Sequence, residues 1–360
     1  MSGLAWRPTR AELADLEAEH RTRVHGLDRL VAVPDLLGEG AGTTDVLAVR
    51  LPDGSRAAGV VAVTDVGPAS PGATARALRE HRLRARAAGP DVTAATAALL
   101  DAWVDRARRG ADPEPAGPPP TDDVAPRLRP VPATHGLAVA WPSRDTEAVA
   151  ALAGRGMYPA VHLAARHDAR PSDGGGSPPA GVVLRDATVA DVAAVVDHQL
   201  AELAYDELVG AARVRAAARG SMTPLVAAAV SREDSVVLVA VPDGGRRPTT
   251  PADGPRDGPD EVLGVVAVEP PQRSSWVAGA VGRGPVAYVV LLHVSPRARG
   301  AALGAALVGA ALARVEELSG PDTVVLLHHG VLNPLSAPFW ARHGFRPVLT
   351  TWELPVTRTP

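Results

Sequence analysis

Val286 to Val294 is a nearly continuous apolar run with the character of a strand. It passes through Ser295-Pro296-Arg297-Ala298 into Arg299-Gly300-Ala301-Ala302-Leu303-Gly304, and then into a long helical pattern over Ala302–Ser319. Small residues at a strand-to-helix turn let backbone N–H groups approach a ligand closely. Those amides are free at a helix start and the helix dipole adds positive potential, which suits a pyrophosphate. The turn has neither the Gly-Lys-Ser/Thr of a Walker loop nor Gly-x-Gly-x-x-Gly spacing. Downstream, His328 and His329 lie on a strand pattern, Thr323–His329. An imidazole with a pKa near ~6.5 suits proton transfer at neutral pH, so His328 is a candidate general base. Adjacent strand residues point to opposite faces, so the two histidines make a poor metal chelate and no metal site is expected. Asn333, before Pro334, suits a helix N-cap.

The elements that must carry these residues are α/β in pattern. In the second half, helical patterns cover about 189–204 and 224–230. Strand patterns cover 235–241, 262–269 and 286–295, and a short helix follows at 334–342. In the first half, strands are expected at 45–51, 59–66 and 136–141, with helices at 10–23, 73–87 and 92–109. The two halves echo each other. Each opens as short strand, Arg, cap, helix, with Thr9/Glu12 and Thr188/Asp191 at capping-box spacing. Each closes with a helix ending at a Gly, and Asp145 to Gly156 spans the same 11 residues as Asn333 to Gly344. Duplication is the expectation. Gly- and Pro-rich stretches at 111–132 and 167–180 are expected linkers, and 242–261 a long hairpin insertion.

Composition bounds the function. The chain has 360 residues, 46% hydrophobic, with no Cys, which excludes disulfides, thiolate zinc sites and cysteine nucleophiles. It has no Lys and no Ile, so all 37 basic residues are Arg, one residue is Asn and two are Phe. Such a purge points to GC-rich coding and strips Arg of its usual hint of anion recognition. The net charge of −3 gives no field for a nucleic acid partner. The longest uncharged helical run, Gly300 to Ala313, is too short for a bilayer, which needs roughly 20 residues. Met1 to Arg10 lacks the apolar core of a signal peptide, so a cytoplasmic protein without membrane partners is expected.

The run from His293 through Arg299-Gly300-x-x-x-Gly304 resembles motif A of the GNAT superfamily of acyl-CoA-dependent N-acyltransferases. Ala302 stands where that family's first Gly is usual. Asn333-x-x-Ser336-x-x-Phe339-Trp340-x-x-x-Gly344-Phe345 resembles its motif B, and the resemblance covers essentially 181–356. The lone Asn and both Phe residues fall inside that second motif. The resemblance implies two tandem GNAT-like domains, each a mostly antiparallel mixed sheet flanked by helices. Residues 1–166 would be a degenerate copy without a CoA loop, 167–180 a linker, and 181–356 the N-acetyltransferase domain. It implies acetyl-CoA as co-substrate, with the pantetheine on Leu292, His293 and Val294. The pyrophosphate would sit on Arg299, Gly300, Ala301, Ala302, Leu303, Gly304 and Ala305, with a further contact from Asn333.

In such enzymes a primary amine attacks the thioester directly. A small-molecule or peptide amine is the implied acceptor, and His328 the implied base. The family's motif B Tyr, which protonates the departing thiolate, is replaced by Trp340, and an indole N–H is no usable acid. Tyr288 and Tyr205 are possible substitutes, and Glu202, Asp206 and Glu269 could line the acceptor pocket, although solvated positions are expected for all three. The first half has Gly89-Pro90-Asp91 in place of the loop and Asp145 in place of Asn333, so no CoA binding is expected there. It would complete the fold as a pseudo-dimer within a monomer, or within a homodimer. The competing expectation is a non-catalytic acyl-CoA-binding regulatory protein, for which Trp340 and the degenerate first half argue.

Overall fold

The computed structural model describes residues 4–37, 46–109, 134–167, 176–243 and 261–356. Most of the three Gly/Pro-rich stretches lies outside the described residues. The strands of the first half are β1 (Leu4–Ala5), β2 (Val46–Arg50), β3 (Arg56–Asp65), β4 (Arg79–Ala88), β5 (His135–Pro142) and β6 (Tyr158–Arg166). Those of the second are β7 (Val182–Asp186), β8 (Val236–Pro242), β9 (Gly264–Glu269), β10 (Val286–Val294), β11 (Val324–Gly330) and β12 (Arg346–Pro355). The helices are α1 (Arg10–Leu27), α2 (Val92–Arg109), α3 (Glu147–Ala153), α4 (Val192–Leu208), α5 (Ala218–Val230), α6 (Ser275–Ala278), α7 (Leu303–Ser319) and α8 (Ser336–Arg342).

All twelve strands form one sheet in the order β1-β2-β3-β4-β5-β12-β6-β11-β10-β9-β8-β7. The order is a palindrome: each strand of the first half has its counterpart at the mirrored place in the second. Its centre is an exchange. β12 lies between β5 and β6, and β6 lies between β12 and β11, so each half supplies a strand that the other lacks. Only β4/β5 and β10/β11 pair in parallel; every other neighbouring pair is antiparallel. The α/β class and the mixed sheet agree with the expectation.

α2 and α7 cover one face of this sheet, burying Leu99, Leu100 and Trp103 over the first half and Leu303, Leu307 and Val308 over the second. α1, α4, α5 and α6 cover the opposite face. Both predicted capping boxes form, Thr9 with Glu12 and Thr188 with Asp191. Gly156 and Gly344, after α3 and α8, both take positive φ (76° and 82°), a conformation that needs Gly at a helix end.

One element differs in kind from its expectation. The helix expected over 73–87 is a short 3-10 turn at Pro71–Thr74 followed by β4. Arg and Ala favour helix intrinsically, but Leu83, Ala85 and Ala87 alternate with Arg82, Arg84 and Arg86. That period of two lets the apolar set pack under α2 once β3 and β5 pair on either side.

Candidate functional site

β10 and β11 pair in register only from Val286/Val324 to Val289/Leu327. Past that point β10 follows β9 to Val294, with an irregularity between Val289 and Leu291. β11 instead follows β6 to Gly330. The two strands diverge, and a cavity of about 580 Å³ opens between them. Its walls include α4, the turn into α7, and α8.

The turn at one end is shaped for backbone donation. Gly300 has φ 85° and Ala302 φ 58°, so two residues are left-handed immediately before α7. A non-Gly residue there is strained by roughly 1 kcal/mol, which is the physical reason for Gly at this position. No side chain caps α7, and its first helical bond runs from the Ala306 N–H to the Ala302 carbonyl at 3.1 Å. The amides of Leu303, Gly304 and Ala305 therefore have no partner within the helix. The Arg299 Nε–H donates to the Val294 carbonyl at 3.1 Å and ties the turn to the strand end. A Cβ on Gly304 would stand 3.4 Å from the Phe339 ring. Leu292, His293, Val294, Arg299, Gly300 and Ala302 to Ala305 all line the cavity, as does Asn333; Ala301 does not.

At the other end stands His328. Its Nδ1 is 2.8 Å from the Tyr288 hydroxyl, and Trp276 stacks over the ring at 6.2 Å. The ring is exposed on the cleft side and packed by Tyr288 and Trp276 on the other. That enclosure, with smaller contributions from Arg82, His329 and Arg76, lowers its pKa to about 4. Arg76 and Arg82 come from the first half, which thus borders this end of the cleft. Burial raises the Tyr288 pKa, so the phenol stays protonated. Across β11, His329 is buried on the opposite face. Among the described residues no three His, Asp or Glu side chains gather to hold a metal ion.

The third wall was the least expected. His198, Glu202 and Asp206 recur every four residues along α4, a spacing that puts them on one helix face. The His198 Nε2–H donates to the Val262 carbonyl at 3.1 Å, so its Nδ1 accepts from the His293 Nδ1–H at 2.7 Å. Glu202 and Asp206 are half-buried rather than fully solvated as expected; both line the cavity, whereas Glu269 does not. Burial, reinforced by the charge of Asp206, raises the Glu202 pKa well above the carboxylate range, against the opposing pull of the Leu292 backbone amide. Burial raises Asp206 as well, opposed by the Asn333 amide, whose Nδ2–H donates to it at 3.0 Å. The Asn333 Oδ1 accepts from the amides of Leu335 and Ser336, the cap contact expected of it. Trp340 packs edge-on against Phe345 in the core, only 7% exposed, with one edge on the cavity.

Equivalent positions in the first half are filled by the protein itself. Asp91 caps α2, its Oδ1 accepting from the Ala94 N–H at 2.7 Å, and the Asp91 N–H donates to Ser55 Oγ. Beyond Leu83/Val139, where β4 and β5 lose their pairing, His20 of α1 stands at the backbone of Ala87 and against Trp141. Arg84 and Arg86 donate to the carbonyls of Leu36 and Pro34, closing the segment 34–36 over that strand.

Residues 245–345 match the model of the Acetyltransferase (GNAT) family. Among solved structures, a GCN5-related N-acetyltransferase from Sphaerobacter thermophilus is similar in fold, with a TM-score of 0.51 at 12% identity, over 99% of this chain and 98% of that one. A tandem GNAT protein from the clavulanic acid biosynthesis pathway matches over 100% and 99%, at 15% identity and a TM-score of 0.44. The PaiA N-acetyltransferase from Thermoplasma acidophilum, in complex with coenzyme A, matches 49% of this chain and 99% of its own, at 11% identity and a TM-score of 0.31. No curated protein matches significantly.

Proposed function

We propose that this chain, of which residues 245–345 match the GNAT acetyltransferase family model, transfers an acetyl group from acetyl-CoA to a primary amine. The family and the fold support the coarser statement, an acyl-CoA-dependent acyltransferase. The observation that carries the finer one is the uncapped start of α7 opening into a cleft whose far end holds His328. In this reading 181–356 is the catalytic unit, 167–180 the connector, and 1–166 a copy that completes the sheet and borders the acceptor end.

The amides of Gly300 and of Ala302 to Ala305 hold the pyrophosphate, where the helix dipole adds positive potential and Arg299 a full charge. Leu292 to Val294 hold the pantetheine along the unpaired edge of β10. The acceptor, a small-molecule or peptide amine, enters beside His328. With the His328 Nδ1–H donated to the Tyr288 oxygen, its Nε2 lone pair is open to take the amine proton. The amine then attacks the thioester carbon directly, the C–S bond breaks, and no enzyme-bound acyl group forms. A base with a pKa of about 4 is weak for an ammonium near ~10 and better matched to an α-amino group near ~8.

Calorimetry with CoA and a thiol-release assay with acetyl-CoA over an amine panel test this function. Binding, acceptor-dependent release and a drop of about 100-fold in kcat for His328→Ala are expected. Binding without release for any amine would leave a non-catalytic acyl-CoA module as the better description.

A further inference from the structure

Acyl transfer from a thioester leaves a thiolate: the C–S electron pair stays on sulfur while the amine nitrogen forms the new C–N bond. A thiol of ordinary pKa, ~8.5, takes up a proton at neutral pH. His328, occupied with the amine, is on the wrong side to deliver it. We propose that the Glu202 carboxyl group protonates the CoA thiolate as it departs. This rests on the acyltransferase reading above and assigns a further catalytic residue within it.

Position along β10 supports the assignment. His328 follows Leu327, the last β11 residue paired with β10, and so lies level with Val290. Glu202 lies on the cleft face of α4 between His198, which meets His293 at 2.7 Å, and Asp206, which meets Asn333 at 3.0 Å, and it lines the cavity with Leu292, two residues nearer the α7 turn, or about 7 Å along the strand. A donor held by its phosphates at that turn and presenting its acyl carbon to His328 has its sulfur on the turn side of that carbon. The sulfur then faces Glu202 while the amine faces His328. Tyr288, the partner of His328, feels the Glu202 charge, so the two groups share one locus.

Glu202 is also suited to hold a proton. Among the described residues no cationic side chain pairs with it, and Asp206 one turn away disfavours a second negative charge. The first half supplies a control. His20 meets the backbone of Ala87, four residues past the last β4/β5 pair, and His198 meets the side chain of His293, four past the last β10/β11 pair. Four residues further along each helix stand Val24 and Glu202, and eight further stand Asp28 and Asp206. Where the cleft is plugged, the position is a fully buried Val; where it is open, it is a carboxylic acid.

The step balances. Glu202–COOH and the thiolate become Glu202–COO⁻ and CoA thiol. The amine proton leaves through His328 to solvent, and solvent reprotonates Glu202. An acceptor that enters as an ammonium releases one net proton per turnover.

The test uses the full chain, CoA itself as probe, and thiolate absorbance of the bound CoA as a function of pH. Glu202→Gln keeps the shape, and Glu202→Val copies the first half; each is checked for folding by its melting temperature before titration. With Glu202 present, ionising both groups places two negative charges together, so the bound thiol should titrate above free CoA. Both variants should lower that midpoint by about one pH unit or more. The other titratable and charged groups facing this stretch are Asp206, Tyr205 and His198 on α4, Tyr288 and His293 on β10, Arg299 at the turn, and His328 on β11. All are unchanged in the variants, so a shift belongs to Glu202. CoA binding with the same thiol midpoint in wild type and variants overturns the assignment alone. Absence of CoA binding to the wild type overturns the functional reading with it.

Discussion

In the first half, the turn from β4 into α2 is closed by its own side chains; in the second, the matching turn from β10 into α7 is open. Asp91 places a carboxylate on the amide that a ligand anion would otherwise use, and Ser55 packs beneath it. A Cβ on Gly89 would stand 2.6 Å from the Ser55 Cα, so that turn is pressed against its neighbour. Around Gly300 no heavy atom lies within 4 Å of the Cβ position, and α7 has no side-chain cap. The strand gap behind each turn follows suit, with His20 between Ala87 and Trp141 on one side and a 580 Å³ cleft on the other. One scaffold thus satisfies the same orphan amides and diverging strands in two ways, from within or by leaving them for a ligand. The filled copy is the more self-sufficient structure, and the open copy holds the strained Ala302 and the raised carboxyls.

The largest effect should come from giving the open turn a carboxylate of its own. Gly304→Glu is expected to weaken CoA binding by at least about 100-fold, near 2.7 kcal/mol, in calorimetry. The melting temperature should change little, because the atoms nearest that Cβ stand at ordinary contact distance, the Phe339 ring at 3.4 Å and Val294 at 3.8 Å. Unchanged CoA affinity would show that the α7 turn is not the phosphate site.

Removing the plug of the first half should cost stability and nothing else. His20→Ala removes the one ring nitrogen that serves the Ala87 backbone, and a loss of roughly 2 kcal/mol in urea unfolding is expected with unchanged kcat. The variant should also lose an acid-side slope. The His20 pKa is lowered to about 3, chiefly by burial. As pH falls from about 6.5 towards 3, only the unfolded imidazole takes a proton, so wild-type stability declines over that window. Slower turnover in His20→Ala would mean the two halves are coupled more tightly than the plug implies.

The smallest effect bears on the strand exchange. Glu353 lies on β12, a strand of the second half, yet after burial its largest perturbation is the first half's Glu80. Its pKa is raised to about 7, against ~4.5 when exposed. Between those values the folded state holds more protons than the unfolded, so stability falls as pH rises from about 4.5 to 7. Glu353→Gln should abolish that decline and add about 1–2 kcal/mol at pH 8. An unchanged pH profile would mean that β12 does not bring this carboxyl to Glu80.

Much of the local structure was legible in the residues themselves. Thr9/Glu12 and Thr188/Asp191 form the boxes their spacing announces, Asn333 caps the turn into α8, and Gly156 and Gly344 take the left-handed conformation. These features depend on contacts within a few positions, where backbone geometry alone decides. β4 misled because intrinsic propensity and alternation disagreed, and pairing with β3 and β5 settled the matter. Glu202 and Asp206 misled because nothing local tells a carboxylate on a helix whether that face meets water or a strand edge.

The chain by itself determined where elements start and stop, which turn presents small residues, and which half has a carboxylate in place of an open cradle. These follow from short-range sterics, capping chemistry and residue size. Only the tertiary structure decided that β6 and β12 change places, that β10 parts from β11 after Val289, and that His20 fills one gap while His328, Tyr288 and Glu202 line the other. Those depend on strand pairing and burial between residues far apart in sequence, where the partner, not the residue, sets the outcome.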